Sequence, residues 1–411
     1  MPKRNDDFFK QKKIWSEVKD ELLGCYLRPY FNKIFYTRNP VLYIDGFAGK
    51  GKFEDGKNGS PLTALDCLST SISQFRGKHS MPVINMKFIE LNHANELSAN
   101  LPDEQTHRCE IIAGKFEDKI VPILESAAKM SKNQNVFLYI DPYGVKALDA
   151  ALFDALPDIF NTAEVLINLN SWGFLRMAFA LKKTDFREST DELLKDLDEY
   201  DSSSANSIEE VNAIAGGDYW QDIVDRYVAG IINSYEAEKE FSHKYKLRLR
   251  QKYKYVLDMP IRLKSGQHPK YRMVYATNHP DGCILMADNI AARADRLVVE
   301  IQNEGQISLF EVNAENEAVS IASLDEKVKT LLMRYKSHVR LRDFLADFYN
   351  EYGVLCSSSR IKGANSVLAT LEQANHVKVL RTPNTTHAGK ASRFWDEKGN
   401  QSINIRLIEK P

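Results

Sequence analysis

The chain has 411 residues, 43% hydrophobic and 27% charged, which is the balance of a soluble globular protein of two or three domains. No run of about eighteen apolar residues exists, and the start Met-Pro-Lys-Arg-Asn-Asp-Asp lacks an apolar signal core, so a membrane span is excluded and cytoplasmic residence is expected. Five cysteines without C-x-x-C spacing and nine histidines without ligand spacing point away from a disulfide framework or a metal site.

The net charge of -1 hides an asymmetry. Phe241 to Arg272 carries ten Lys/Arg against one acid, and Glu326 to the end carries fifteen against eight. Cations segregated in this way suggest surfaces facing a polyanion.

Residues 1–40 read as N-terminal helices. Ile14, Val18, Leu22 and Tyr26 recur at helical spacing, as in an amphipathic packing helix. Residues 41–171 read as a Rossmann-like core. Val41-Leu42-Tyr43-Ile44 is a buried strand that ends in Asp45 and a turn with three glycines, Gly46-Phe47-Ala48-Gly49-Lys50-Gly51. The spacing is neither the phosphate-binding G-x-x-x-x-G-K-[ST] nor the dinucleotide G-x-G-x-x-G. A helix near Ser60 to Phe75 follows, then a strand, Val83 to Glu90, with a carboxylate at its C-terminal end. Cys109 to Gly114 is a third strand, Asn135 to Ile140 a fourth that delivers Asp141-Pro142-Tyr143-Gly144, and Glu164 to Asn170 a fifth after a helix near Leu148 to Phe160. Strands alternating with helices make a parallel, doubly wound sheet.

Residues 172–240 read as a helical insertion with an acidic loop at Asp196 to Ser207 and a new helix opened by Gly216-Gly217-Asp218-Tyr219-Trp220. Residues 241–305 read as the end of the sheet. His243 to Tyr255 alternates with period two, placing Lys244, Lys246, Arg248, Arg250, Lys252 and Lys254 on one face. That face is expected to contact nucleic-acid phosphates, with Met273 to Thr277 as the antiparallel partner. The bland alternative is an edge strand guarded by lysines. A helix near Ala287 to Gln302 and a linker at 306–323 lead to residues 324–411. Their three helices and the short strands Val377–Leu380, Ser392–Trp395 and Ile403–Ile408 suggest a winged-helix-like domain for nucleic acid or protein docking.

With these residues in hand, the chain resembles the three-Cys-motif partner protein family. The likeness rests on Tyr43-Ile44-Asp45-Gly46-Phe47-Ala48-Gly49, Gly59-Ser60-Pro61-Leu62, Asp141-Pro142-Tyr143-Gly144 and Thr277-Asn278-His279-Pro280-Asp281-Gly282. It implies a three-Cys, radical-SAM-like protein as partner. The core also resembles Rossmann-like S-adenosylmethionine (SAM)-dependent methyltransferases, among them ribosomal-RNA adenine-N6 methyltransferases. This second resemblance implies SAM as cofactor, held by Asp45, Gly46, Phe47, Ala48, Gly49, Gly51, Glu90 and Asp118. Lys115 stands where many members have an acid, and Asp118 is the substitute. Asp141, Pro142 and Tyr143 take the catalytic place of a D-P-P-Y motif with one proline fewer. Asp141 would accept the target amine and Tyr143 would stack on a flipped base.

The expected activity is therefore methylation of a nucleobase amine in DNA or RNA. The alternative is a catalytically degenerate subunit that binds nucleic acid and presents it to the three-Cys partner. Nothing in the residues themselves points to a context such as phage defence.

Overall fold

The computed structural model describes residues 9–76, 80–142, 144–145, 147–183, 207–261, 269, 271–304 and 321–408. The chain divides near Asn278 into one compact unit ending there and a second formed by 279–304 and 321–408.

The first unit begins with helix α1 (Ile14–Ile34). Next come β1 (Val41–Asp45), α2 (Ser60–Gln74), β2 (Ile84–Glu90), α3 (Ala94–Asn100), β3 (Cys109–Ala113), α4 (Phe116–Met130), β4 (Asn135–Ile140), α5 (Ala150–Ile159) and β5 (Thr162–Leu169). Then follow α6 (Ser171–Leu181), α7 (Ile208–Ala215), α8 (Trp220–Val228), α9 (Ser234–Leu249), β6 (Tyr255–Ile261) and β7 (Tyr271–Thr277). The seven strands form one sheet in the order β3-β2-β1-β4-β5-β7-β6. Pairs among β1 to β5 are parallel, and β7 runs antiparallel to both β5 and β6. This is a Rossmann-like methyltransferase fold. The order reverses at β1, flanked by β2 and β4, so the crevice beyond the C-terminal ends of β1 and β4 is where an open α/β sheet takes its ligand.

Strand parity divides the sheet chemically. Leu42, Ile44, Val136, Leu138, Ile140, Val165, Ile167, Val274 and Ala276 join one apolar cluster with Phe116, Phe153, Phe174, Trp220 and Phe241. The alternate residues carry Tyr43, Asp45, Phe137, Tyr139, Glu164, Asn168 and Tyr275, and Tyr26 and Tyr30 of α1 pack their rings on that side.

The expected basic strand is not a strand. His243 to Leu249 is the second half of α9, and only at Tyr255 does a strand begin. Two signals outweigh the alternation. Asn233 and Glu236 form a reciprocal capping box that starts the helix. Ala237, Phe241, Tyr245 and Leu249, each fully buried, recur every four residues and give the segment a helical apolar stripe. Lys-rich and Leu-rich segments are also good helix formers. The cations therefore splay around a helix and a following turn instead of sharing one face.

The second unit holds α10 (Pro280–Glu304), which the sequence reading attached to the end of the sheet. It continues with α11 (Ile321–Met333), β8 (Val339–Arg340), α12 (Leu341–Tyr352), α13 (Ser358–Ile361), α14 (Val367–Gln373), β9 (Val377–Thr382) and β10 (Ser402–Leu407). Its sheet has the order β8-β10-β9, with antiparallel pairs. Phe344, Phe348, Tyr349, Leu368, Ile403 and Ile405 are buried. Ser358 donates from both its amide and its hydroxyl to Asp288, at 2.6 and 2.7 Å, which fixes the start of α13 to α10.

Ser392–Trp395 forms no strand, contrary to expectation. The two-residue β8 is the third strand, and residues 383–401 form the connection between β9 and β10. The expected linker at 306–323 and acidic loop at 196–207 fall largely outside the described residues. No helix among the described residues is long and apolar enough to cross a membrane.

Candidate functional site

β1 delivers Asp45 into the crevice and the glycine turn begins at once. The turn is strapped to its neighbours. Gly46 donates its amide to Tyr139 O at 2.9 Å, Ala48 to Ile89 O at 3.0 Å, and Gly49 to the Glu90 carboxylate at 2.7 Å. Gly51 lies at φ +74°, and a Cβ there would sit 2.7 Å from Leu97 Cδ1. Glycine is needed for both reasons. At Gly46 a Cβ would come within 2.8 Å of the Phe116 ring, itself packed 5.1 Å from the ring of Phe47. Phe9 lies on the outside of the turn, against Gly49, with the Lys50 ammonium 4.9 Å from its ring centre.

Glu90, at the end of β2, is almost buried. One oxygen takes Gly49 N, and the other takes Asn92 N at 2.8 Å and His93 N at 3.1 Å. Its first role is thus to fix the glycine turn. Oε2, which accepts only from Gly49, keeps lone-pair capacity for a ribose hydroxyl. Asp118 is exposed in the first turn of α4, and among the described residues no hydrogen bond or ion pair ties it to Asp45 or Glu90.

Asp45 is fully buried. Its Oδ1 accepts from Phe47 N at 3.2 Å, and Oδ2 makes no hydrogen bond of ordinary geometry. Burial pushes its carboxyl up to about 7, although the Ser60 hydroxyl and the Phe47 amide oppose the shift and the charges of Asp141 and Asp20 add to it. Asp20 of α1 is likewise raised to about 6 by burial, against the pull of the Lys12 ammonium 2.6 Å away.

β4 delivers Asp141 beside this pair. Lys19 of α1 lies between its two oxygens, at 2.7 and 2.6 Å, and the Asn168 amide donates to Oδ1 at 2.6 Å. Lys19 is buried and also sits 5.1 Å from the ring centre of Tyr271. Because a carboxylate can only accept, the bond from Asn168 fixes which way its amide faces. The Asn168 Oδ1 left over is buried without a partner. Pro142 is half-buried behind Asp141, and Tyr143 lies outside the described residues.

The structure thus gathers Asp45, the glycine turn, Glu90 and Asp141 at the ends of adjacent strands. It adds Lys19, Asp20 and Asn168, which the sequence reading passed over. The spacing of Ile14, Val18, Leu22 and Tyr26 signals that α1 packs, but Ser16, Lys19 and Asp20 between them read as its solvated face.

The expected nucleic-acid residues are not gathered. Lys246 pairs with Asp258, Arg248 with Asp154 at 2.7 Å and with Ala150 O at 2.5 Å, and Lys252 with Asp158 at 2.6 Å. Arg250 reaches Val256 O at 3.4 Å, Lys254 lies over the Tyr255 ring, and Lys244 is exposed. Asp258 in turn binds Arg272, which grips Glu238 with two parallel hydrogen bonds of 2.7 and 2.9 Å. Burial would raise Glu238, but Arg272 and the hydroxyls of Ser171 and Ser242 outweigh it and hold the carboxyl below its usual range. This is an internal ion network at the rim of β5, β6 and β7.

Two observations make the crevice a candidate site for SAM: the carboxylates of Asp45 and Glu90 stand beside the turn at the ends of adjacent strands, and the buried Asn168 Oδ1 has no partner of its own. Among the described residues no cluster of His, Cys, Asp and Glu could hold a metal ion.

No protein-family model matches the sequence, and no curated protein is a significant match. Among solved structures the chain is similar to a spermidine synthase in complex with the transition-state analogue AdoDATO, at 10% identity and TM-score 0.29, covering 67% of this chain and 65% of that one. It is similar to a spermidine synthase from Thermotoga maritima, at 10% identity and TM-score 0.25, covering 59% and 54%. A third is loganic acid methyltransferase with SAH, at 8% identity and TM-score 0.25, covering 71% and 84%. The chain spans less than two-thirds of the length of either spermidine synthase. Likeness at this level carries no weight for function, and the fold class stands on the strand order and pairing.

Proposed function

We propose that this protein is a SAM-dependent methyltransferase acting on a nucleobase amine in DNA or RNA. The observation that carries the reading is the meeting of the Asp45 glycine turn with Asp141 in the crevice where the strand order reverses. Asp45, the turn and Glu90 would hold the cofactor, which when bound supplies an activated methyl on its sulfonium. The task left to the chain is alignment of the amine lone pair with that methyl, and alignment contributes most of the rate in such a transfer. Asn168 Oδ1, aimed by Asp141, is a free acceptor for an amine N–H. Asp141, the partly exposed carboxylate, is placed to take the proton that the amine sheds. A three-Cys, radical-SAM-like partner and a winged-helix-like reading of the second unit belong to the same proposal and rest on sequence motifs alone.

A second reading is favoured by one contact. The Lys19 ammonium already occupies both oxygens of Asp141. That suits a degenerate subunit which binds nucleic acid without methylating it. Calorimetry with SAM on the full chain tests the first reading. Micromolar binding that is lost in Asp45→Ala, with transfer to nucleic acid lost in Asp141→Ala while SAM still binds, is the expected result. Absence of SAM binding to the wild-type chain would overturn it.

A further inference from the structure

The cations expected at 244–254 are mostly spent on internal partners, but four on the second unit's hairpin and its connection, Lys378, Lys390, Arg393 and Arg406, are not. In the β9–β10 register Lys378 stands directly opposite Arg406, and both are exposed. Like charges facing each other across an antiparallel pair are unfavourable. Among the described residues no carboxylate pairs with either. Leu380, two residues along the same face, is 42% exposed.

The connection after β9 adds a second pair. Lys390 and Arg393 line an open cavity of about 660 Å³ together with Thr386, Ala391 and Phe394. Both cations are exposed, and among the described residues neither has an ion pair. The cavity wall is held from behind. Arg381 donates to Phe394 O at 2.9 Å, lies 4.8 Å from the centre of the Trp395 ring, and is itself clamped by Glu372 at 2.7 and 2.8 Å. Arg381 thus fixes the backbone that presents Phe394.

We propose that the β9–β10 hairpin of the second unit is a nucleic-acid-binding surface. Lys390 and Arg393 hold phosphate, the half-exposed Phe394 ring stacks on a base, and Lys378 with Arg406 holds a further phosphate of the same strand. Interleaved cations and an aromatic platform are what a single strand needs, because the backbone carries the charge and every base has a π-face. About 13 Å of strand separates Lys378 from Thr382, so the two cation pairs serve different phosphates. The inference rests on the nucleic-acid part of the proposed function and moves its contact from residues 244–254 to this hairpin.

The test is fluorescence anisotropy of a labelled single-stranded oligonucleotide of mixed sequence, titrated with the full chain across a salt series and without SAM. Lys390→Glu with Arg393→Glu should weaken binding at least tenfold and reduce the slope of log K against log salt by about 0.7, the contribution of one lost phosphate contact on a single strand. Lys378→Glu with Arg406→Glu should reduce the slope similarly. Phe394→Ala should weaken binding roughly 5- to 100-fold, the range of one lost base stack, and leave the slope alone. Unchanged melting temperatures establish that the variants are folded, and the corresponding alanine pairs replace any reversal that is not. Wild-type affinity and slope in both double variants would overturn the proposal. So would a wild-type chain that binds no oligonucleotide at low salt, or one that binds phosphatidylserine vesicles in preference to it. Failure of the methyltransferase reading is separately visible, as absent SAM binding with oligonucleotide binding intact.

Discussion

The two faces of the seven-stranded sheet are built from alternate residues of the same strands, yet they differ in kind. One face carries Leu42, Ile44, Leu138, Ile140, Val165 and Ile167 under a continuous apolar layer. The other carries Tyr43, Asp45, Tyr139, Glu164 and Asn168 under α1, and several of these polar groups are buried with incomplete partners. The apolar face gains free energy from nearly every atom it hides. The polar face loses part of that gain to desolvation of carboxyls and hydroxyls. A strand that keeps such residues on one parity only is keeping its chemistry apart from its stability.

The comparison breaks most sharply on the apolar side. Phe174 is fully buried and stacks on Phe241 with ring centres 4.1 Å apart. Phe174→Ala should cost about 3–5 kcal/mol in denaturant unfolding. SAM affinity, measured where the variant is still folded, should not move.

On the polar side the effect depends on pH. A carboxyl raised to about 7 at Asp45 keeps its proton in the native state after the unfolded chain has released it. The native state then binds more protons, so stability falls as pH rises from about 4 to about 7 and levels off above that. Asp45→Asn should flatten this slope and, at pH 8, exceed the wild type by on the order of 4 kcal/mol. Glu164 is also raised to about 7, by burial against the hydrogen bonds of Tyr26 and Tyr275, so a residual slope of the same sign should survive. A wild-type stability that rises between pH 4 and 7 would contradict the assignment.

A smaller change follows at the charged pair of the site. Lys19→Met removes the ammonium from both Asp141 oxygens while keeping much of the stem volume. Unfolding free energy should drop by roughly 1.5–3 kcal/mol, the range for hydrogen bonds to a charged group. If methyl transfer to an amine is the activity, the variant should also show whether Lys19 orients Asp141 or obstructs it, as a fall or a rise in turnover. The smallest effect is expected at Lys244, exposed on α9. Lys244→Glu should shift stability by no more than about 0.5 kcal/mol, and equally little in oligonucleotide affinity.

The turn after β1 was legible because a β-branched and aromatic run that stops at Asp45 and three glycines admits few backbones. The strand before Asp141 was legible for the same reason. The stretch from His243 to Tyr255 reads as a strand because its alternate cations satisfy period two, while Phe241, Tyr245 and Leu249 satisfy a helical period, and the two patterns overlap. The capping box at Asn233 was the deciding signal and lay upstream of the window. Lys19 and Asn168 could not be found at all. Their contacts with Asp141 span 122 and 27 residues, and nothing local marks a lysine whose partner is so distant. Lys378 and Arg406 became a pair only when register was known.

The docking of α1 also orders events in time. Its polar partners on the sheet are Asp141, Glu164 and Tyr275, which lie 122, 138 and 249 residues further along the chain. During synthesis α1 emerges long before any of them exists. Lys19 and Tyr26 lack these partners until β4, β5 and finally β7 are in place. Contacts of such high sequence separation close late and slowly. The crevice is therefore among the last parts of the first unit to form, and a chain still short of residue 275 carries the glycine turn but lacks Tyr275, whose hydroxyl helps hold α1 over it.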